Sequence, residues 1–314
     1  MNQMTAPRAL KKGSIVALVA PAGPAADAAE VRQAVRVLEE MGYEARVSSG
    51  CYAQYGYLAG QDEARARELN AAFADPEIEG IFCMRGGYGC SRILDRVDYD
   101  CVRRSPKVFV GYSDITALHI AFNRLCGLLT FHGPMPGSDA AVLLRPGRTR
   151  EGLLRAVGVG WPLGRLHNPG EEPLWALVPG RAAGRLAGGN LSLAAASLGT
   201  PYEIDTRGCL LFLEEIGEYP YRVDRMLSQL RLAGKFRDCC GVVLGDFRDC
   251  GAENPERSLE LRRIFEDLLV PEGKPVLCGL RAGHCVEKLT LPLGAKAEMD
   301  AGAGSLRIVE RAVC

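Results

Sequence analysis

The sequence lacks the features that mark a membrane protein, a zinc protein or a nucleic-acid-binding protein. None of its apolar runs reaches the ~18 residues that a transmembrane helix needs. Its 12 cysteines include no C-x-x-C pair, so no metal site is expected, and the thiols are predicted to be reduced in a cytoplasmic protein. Lys plus Arg and Asp plus Glu both total 38, and this balance argues against nucleic acid or a membrane as partner.

The remaining composition is that of a globular protein. The chain has 314 residues, of which 47% are hydrophobic, and this length suits two modest domains or one large domain. A basic start at Arg8, Lys11 and Lys12 precedes the apolar run 15–20 and mimics a signal peptide. Because the run is short and ends at Pro21, a first buried strand is the favoured interpretation.

The first third of the chain alternates between strand and helix patterns. Strands are predicted at 14–20, 44–47, 80–84, 108–110 and 128–131, and helices at 27–41, 62–74, 91–97 and 114–126. Asp27 and Glu30 form a capping pair, and Gly42 ends that helix. The alternation predicts a parallel sheet with helices on both faces.

The pattern changes after residue 133. Pro and Gly are frequent up to residue 185, with one predicted helix near 148–157, and apolar runs return at 209–213, 242–244, 276–280 and 306–309. The sequence therefore predicts an N-terminal α/β domain at 1–135, a connector at 136–185 and a C-terminal mixed domain at 186–314.

A serine follows the strand at 108–110. Gly111-Tyr-Ser113 ends the strand and a helix begins at once, so the Ser113 hydroxyl is expected at the carboxyl edge of the sheet, beside free helix N–H groups. This pattern resembles a nucleophile elbow, although Ile115 replaces the second glycine of G-x-S-x-G. The alternative is that Ser113 is only an N-cap.

The loop Arg85–Gly89 also follows a strand. Its adjacent glycines, Gly86 and Gly87, allow backbone N–H groups to approach a ligand, so an oxyanion-binding or substrate-carboxylate loop is one interpretation. A tight turn without function is the other. Neither phosphate-loop pattern occurs here.

A serine nucleophile needs a base and an orienting acid. Of the four histidines, His119 and His167 are expected to be structural or solvated, whereas His132 and His284 both follow apolar runs and are equal candidates on spacing. The strand 209–213 delivers Glu214 and Glu215 at its end, and adjacent residues on a strand point to opposite faces.

Taken together, these segments resemble the LD-carboxypeptidase family of serine peptidases. The resemblance rests on ten segments in order: Ala20–Gly23, Met84–Gly89, Gly111–Thr116, Phe131–Pro134, Gly188–Ser192, Leu198–Pro201, Leu213–Glu214, Tyr221–Leu227, Gly283–His284 and Leu289–Gly294. It implies an N-terminal flavodoxin-like domain, a C-terminal domain with a small barrel-like sheet, and a homodimer. It also implies that no metal or organic cofactor is needed.

The resemblance also assigns roles. It implies Ser113 as nucleophile, His284 as base and Glu214 as acid, with the oxyanion hole at the backbone N–H groups of Asp114 and of Gly86 or Gly87. Candidate substrate-binding residues, which form a second set, are Arg85, Asn190 and Arg281. Glu215 stands where the family commonly has Asp, and Arg281 is a further departure.

The predicted function is hydrolysis of the amide between an L-centre diamino acid and a terminal D-alanine in murein tetrapeptides, as in peptidoglycan recycling. An alternative is a microcin-immunity peptidase acting on a peptide-nucleotide or an aminoacyl-adenylate analogue. Trp161 or Trp175 could then stack on a base, although simple packing is the favoured interpretation of each tryptophan. The alternative of another class is a ligand-binding protein without catalysis.

Overall fold

A computed structural model of the chain describes residues 3–170 and 172–314 and contains two β-sheets flanked by helices. In chain order the strands are β1 (Ile15–Val19), β2 (Glu44–Val47), β3 (Gly80–Cys83), β4 (Val108–Gly111), β5 (Thr130–His132), β6 (Gly164–Arg165), β7 (Trp175–Val178), β8 (Arg181–Asn190), β9 (Cys209–Ile216), β10 (Gly241–Arg248), β11 (Val276–Cys278), β12 (Leu291–Leu293), β13 (Lys296–Asp300) and β14 (Ser305–Ile308). The helices are α1 (Ala28–Glu40), α2 (Asp62–Ala74), α3 (Tyr99–Arg104), α4 (Thr116–Ala121), α5 (Ala140–Leu143), α6 (Arg148–Gly158), α7 (Leu191–Ala196), α8 (Pro220–Leu232), α9 (Lys235–Asp238) and α10 (Leu261–Leu269).

The first sheet has the spatial order β12-β5-β4-β3-β1-β2. Its five strands from the N-terminal part of the chain are parallel, and β12 pairs antiparallel with β5. Along β1, Val16 and Leu18 pack in the core that includes α1, whereas Ala17 and Val19 face the core that includes α2. This confirms the predicted flavodoxin-like α/β architecture with helices on both faces.

The second sheet is mixed and has the order β6-β14-β13-β8-β9-β10-β11-β7. Strands β8, β9, β10 and β11 are parallel, and the remaining pairs are antiparallel. One face packs on α8 and α10, through residues such as Val223 and Ile264. On the other face, Phe212 shares a core with Phe131 and Leu291 of the first sheet, so apolar burial holds the two sheets together.

Helix α1 illustrates how local sequence sets the element boundaries. The Asp27 carboxylate accepts hydrogen bonds from the N–H groups of Ala29 and Glu30 at 2.7 and 2.9 Å, and Glu30 accepts one from Ala26 N–H at 2.5 Å. Gly42 follows the helix with φ +94°, a conformation that favours glycine. The capping pair and the stop are therefore confirmed.

Residues 136–185 contain more structure than the sequence pattern predicted. Helix α6 is present, but so are α5, β6, β7 and the start of β8. The reason is that β6 spans only 2 residues and β7 is a half-exposed edge strand, so neither has a buried apolar run. The helix predicted at 114–126 also differs, because it begins as a 3₁₀ turn at Ser113 and ends in a π-turn at Phe122–Cys126.

One of the segments that link the two sheets runs between β11 and β12. It leaves β11 in the second sheet and reaches β12 in the first, and it carries His284 and Lys288 between them. Lys288 N–H donates to Thr149 Oγ1 at 2.9 Å, which ties the segment to α6. The position of His284 is therefore fixed from both sheets.

Candidate active site

Ser113 lies at the carboxyl edge of the first sheet, in the turn between β4 and α4. Its φ is +64°, a left-handed conformation that costs a non-glycine residue about 1–3 kcal/mol. Tyr112, before it, is extended with φ −154°, so the chain reverses direction sharply at Ser113. Strain of this kind at a partly buried serine between a strand and a helix is typical of a nucleophile elbow.

The missing second glycine of that motif has a physical explanation. A Cβ atom on Gly111 would lie 2.8–3.1 Å from the side chain of Ile115. The Ile115 side chain therefore occupies the space that Gly111 leaves open. The turn tolerates isoleucine because the first glycine provides the room.

Ser113, His284 and Glu214 form one chain of hydrogen bonds. Ser113 Oγ lies 3.0 Å from His284 Nε2, and His284 Nδ1 lies 2.7 Å from Glu214 Oε2. Since a carboxylate only accepts, Nδ1 carries the proton and Nε2 accepts from the hydroxyl. Spacing left His132 and His284 equal, and only His284 is within hydrogen-bond distance of Ser113.

Glu214 is fully buried at the end of β9. Burial raises the pKa of its carboxyl, and the hydrogen bond and charge of His284 act in the opposite direction. Its second oxygen, Oε1, has no hydrogen-bond partner among the residues that the structure describes. A Cβ on Gly283, whose φ is +113°, would lie 2.4 Å from Glu214 Oε2, so the glycine allows the carboxylate to reach the imidazole.

The neighbouring Glu215 faces away from His284. Its carboxylate accepts hydrogen bonds from Asn190 Nδ2, Ser192 N–H, Ser192 Oγ and Ile216 N–H at 2.7–2.9 Å. The two carboxylates therefore have separate partners, as the alternation along a strand predicts. Glu215 fixes Asn190 at the carboxyl end of β8.

The glycine loop packs directly on the elbow. A Cβ on Gly86 would lie 2.9 Å from Ser113 Cβ and 3.1 Å from its Oγ. Asp114, buried beside Ser113, accepts a hydrogen bond from Cys90 N–H at 2.8 Å, and burial raises the pKa of this carboxyl. The buried Arg65 guanidinium donates to the carbonyl oxygens of Gly89 and Pro21. The loop is therefore packed against Ser113 on one side and hydrogen-bonded to Arg65 on the other.

A buried ion pair contacts His284 through the ring of Tyr112. Lys288 Nζ lies 2.5 Å from Asp139 Oδ1 and 2.9 Å from Tyr112 Oη. The Tyr112 ring packs edge-on against His284, with ring centroids 4.9 Å apart. Burial raises the pKa of Tyr112 to about 12, so its hydroxyl stays protonated. Tyr112 therefore packs on the imidazole and is itself held in place by the pair of Lys288 and Asp139.

The other histidines are not hydrogen-bonded to Ser113. His119 is buried on α4, donates from Nε2 to Gly111 O at 2.8 Å, and has its pKa lowered to about 4 by burial. His132 is buried against Phe212, and burial lowers its pKa well below the usual value. His167 is exposed. The sequence predicts that His119 lies in the core or at the surface and that His167 is solvated; His119 lies in the core and His167 is exposed.

The candidate substrate-binding side chains lie in different surroundings. Arg85 is partly exposed, with Nη1 3.6 Å from Glu30 Oε2. Arg281 is already paired, with Nη1 3.5 Å from Asp246 Oδ1 and Nε 3.9 Å from Glu172 Oε1. Asn190 is buried and held by Glu215, as described above.

Sequence reasoning missed the residues that support the site: Arg65, Asp139, Lys288 and Arg248. Arg65 binds backbone carbonyls, and Arg248 donates to the carbonyl of His284 at 3.0 Å, so no motif marks either residue. Asp139 and Lys288 pair across 149 positions of sequence, so no local pattern connects them.

In residues 3–170 and 172–314, no group of three or more His, Cys, Asp and Glu side chains is placed to hold a metal ion. Within the same residues, no helix is both long and apolar enough to cross a bilayer. Trp175 stacks beneath Arg262, with the guanidinium carbon 5.6 Å from the ring centre, and Trp161 is exposed.

Comparison with known proteins adds sequence evidence to this geometry. The family model described as the LD-carboxypeptidase N-terminal domain matches residues 16–133, and the one described as the LD-carboxypeptidase C-terminal domain matches residues 183–299. A protein of Bacillus subtilis (strain 168) named "Probable murein peptide carboxypeptidase" is 42% identical over 294 residues, covering 94% of this chain and 91% of its own length.

Two solved structures are similar throughout. The muramoyltetrapeptide carboxypeptidase from Oxalobacter formigenes is 30% identical, with a TM-score of 0.83 over 95% of this chain and 99% of its own. The microcin C7 self-immunity protein, in complex with aspartyl sulfamoyl adenosine, gives a TM-score of 0.88 at 24% identity over 99% of this chain and all of its own. The second likeness supports the fold alone. Since both family models match and together cover most of the chain, this protein is a serine-type carboxypeptidase of the LD-carboxypeptidase family.

Proposed function

We propose that this enzyme releases the terminal D-alanine from murein tetrapeptides by cutting the amide that follows the L-centre of the diamino acid. The observation that carries the proposal is the hydrogen-bonded chain Ser113–His284–Glu214 at the sheet edge. The murein names of the relatives from Bacillus subtilis and Oxalobacter formigenes support the substrate class.

In the proposed reaction Ser113 is the nucleophile and His284 the general base. As Ser113 Oγ bonds to the amide carbon, its proton moves to His284 Nε2, which is 3.0 Å away. His284 then gives that proton to the leaving nitrogen, and D-alanine departs. Water attacks the resulting ester with His284 again as base, which frees Ser113 and the tripeptide acid.

Glu214 acts as the orienting acid in this scheme. Its hydrogen bond to Nδ1 holds the tautomer in which Nε2 can accept a proton, and its negative charge stabilises the imidazolium that forms. Both effects are strong because the pair is buried, so little water screens it.

The oxyanion of the tetrahedral intermediate needs donors beside Ser113. We assign them to the backbone N–H groups of Asp114, at the start of the helix, and of Gly86 or Gly87 in the adjoining loop. The closeness of Gly86 to Ser113 supports this assignment. Arg85, Asn190 and Arg281 remain candidates for binding the carboxylates of the substrate, and Glu215 fixes the orientation of the Asn190 amide.

We further propose a cytoplasmic homodimer whose N-terminal domain, residues 1–135, carries the nucleophile and whose C-terminal domain, residues 186–314, carries the acid and the base, with residues 136–185 as connector. All twelve cysteines are free thiols, which supports a reducing compartment. Murein peptides taken up for recycling would meet the enzyme there.

The test is D-alanine release from a purified murein tetrapeptide, measured for the wild type and for Ser113→Ala side by side. We expect release by the wild type and a loss of about 10⁴-fold or more in the variant. Full turnover by Ser113→Ala would contradict the assignment of the nucleophile. Failure of the wild type on this peptide, together with cleavage of an aminoacyl sulfamoyl adenosine, would transfer the proposal to microcin-type substrates.

A further inference from the structure

A cavity lies where α4 and the segment after it meet β8, away from Ser113. Its volume is ≈ 280 Å³, and it is bounded by the end of α4, by the middle of β8 and by the turn before β9. Asn123, which lines it, lies roughly 15 Å along the helical segment from Ser113 at 1.5 Å per residue. None of the catalytic candidates lines this space.

Three arginines and one aspartate face the cavity: Arg124, Arg185, Arg207 and Asp205. Arg207 is engaged by Asp205 in a two-pronged ion pair of 2.8 and 2.7 Å. Arg124 donates to the carbonyl of Glu203. The lining therefore has three formal positive charges and one formal negative charge.

Arg185 differs from these neighbours. Its Nη1 atom is buried, and no hydrogen-bond partner for it exists among the residues that the structure describes. A buried guanidinium nitrogen without an acceptor carries a desolvation cost that folded proteins normally avoid by pairing. The apolar walls, which include Ile120 and Ile204, supply no acceptor.

We propose that this space, hereafter the Arg185 cavity, binds a small molecule bearing a carboxylate or phosphate group, which the Arg185 guanidinium grips. The planar guanidinium suits two-pronged contact with either group. At about 30 Å³ per water molecule, the cavity has room for an oxyanion with a few further heavy atoms. The proposal goes beyond the peptidase activity and does not depend on it.

The test is calorimetric titration of the full-length protein, with inorganic phosphate in one experiment and malonate in the other. Sodium chloride of equal ionic strength serves as the blank. We expect one site per chain in the wild type and at least a tenfold weaker affinity in Arg185→Gln. The arm with the tighter binding identifies the preferred group. The matched control is Arg181→Gln on the same strand, which removes the same charge from a side chain that is 87% exposed, and it should bind as the wild type does.

Thermal unfolding separates binding from a structural role. Without an added anion, Arg185→Gln should be at least as stable as the wild type, because the substitution removes an unpaired charge. In phosphate or malonate the order should reverse. Arg185→Lys, which keeps the charge without the fork, should bind with intermediate affinity, and D-alanine release should be unaffected in all three variants.

Three results would overturn the proposal. One is that neither probe binds to the wild type, and another is equal binding by wild type and Arg185→Gln. The third is that Arg185→Gln lowers the melting temperature equally with and without anion, or dissociates an oligomer in sedimentation. In that case Arg185 would be a structural or interface residue.

Discussion

Replacing Glu214 by Gln should separate catalysis from stability. The glutamine preserves the shape of the side chain, but it removes the charge that stabilises the imidazolium, and its NH₂ group can donate to His284 Nδ1 and so hold the tautomer in which Nε2 carries the proton. We expect kcat for D-alanine release to fall by about 10⁴-fold, as is typical when the acid of such a triad becomes an amide. That loss equals about 5 kcal/mol of transition-state stabilisation at 1.36 kcal/mol per factor of ten.

The free energy of unfolding should rise or stay the same in Glu214→Gln, although kcat falls. Because the folded-state pKa of Glu214 is raised, the native protein binds this proton more readily than the unfolded chain does, and at pH 7 the ionised group opposes folding. Glutamine carries no charge, so the free energy of unfolding of Glu214→Gln at pH 7 should equal or exceed that of the wild type. The difference should shrink as the pH falls through the raised pKa towards 4.5, the ordinary value of the carboxyl.

Glu215→Gln is the matched control, one residue along the same strand. Its carboxylate accepts hydrogen bonds from four groups, and an amide there would place an NH₂ against at least one of these donors. We expect a destabilisation of about 1–3 kcal/mol, measured by urea unfolding. Its kinetic effect should be smaller than that of Glu214→Gln and fall mainly on KM, through Asn190. A loss of less than tenfold in kcat for Glu214→Gln would refute the assignment of Glu214 as orienting acid.

Two further predictions concern the elbow and its helix. Gly86→Ala should lower kcat by at least about 100-fold, because its Cβ would meet Ser113 Cβ at 2.9 Å. The control is Gly152→Ala on α6, whose Cβ would have no atom within 4 Å, and it should leave turnover unchanged and add about 0.5–1 kcal/mol of helix stability. Equal activity of Gly86→Ala and wild type would contradict the close packing of the loop. For acid stability, His119 has its pKa lowered from 6.5 to about 4, so the unfolded chain takes up a proton that the native state refuses, and stability is lost as the pH falls from 6.5 towards 4. This group accounts for about 3 kcal/mol of that loss. Urea unfolding at pH 7, 6 and 5 should therefore show that the free energy of unfolding falls less steeply with pH in His119→Gln than in the wild type. The same pH dependence in both proteins would refute the buried neutral state of His119.

The position of the proposed nucleophile could be predicted because its signal is local. An apolar strand, a glycine, a serine and an immediate helix are consecutive in the sequence, and the structure has them in that order at β4 and α4. The base could not be chosen in the same way, since His132 and His284 both follow apolar runs. Distance in space supports His284 as the proposed base, because His132 points into the core against Phe212, while His284 is carried to the sheet edge by the segment between β11 and β12.

The supporting residues were beyond sequence reasoning for a different reason. Arg65 and Arg248 reach the site through backbone carbonyl oxygens, which every residue possesses, so these contacts leave no trace in the sequence. Strands β6 and β7 were missed because short, half-exposed edge strands do not have a periodic apolar pattern. The joining of β12 to the first sheet is likewise a tertiary event, since its partner β5 lies far away along the chain.

The assembly of the site from two sheets explains where the closest packing occurs. A Cβ on Gly188 would lie 1.9 Å from the carbonyl oxygen of Phe212, and one on Gly189 would lie 2.6 Å from Thr116 Oγ1, at the start of the helix after Ser113. Thr116 Oγ1 in turn accepts a hydrogen bond from Asn190 N–H at 3.0 Å. The two glycines thus bring β8 into direct contact with both β9, which bears Glu214, and α4, which follows Ser113. Because the distance of 3.0 Å between Ser113 Oγ and His284 Nε2 spans the same junction, we expect the proposed catalysis to depend on how closely the sheets approach there, and not only on the three side chains themselves.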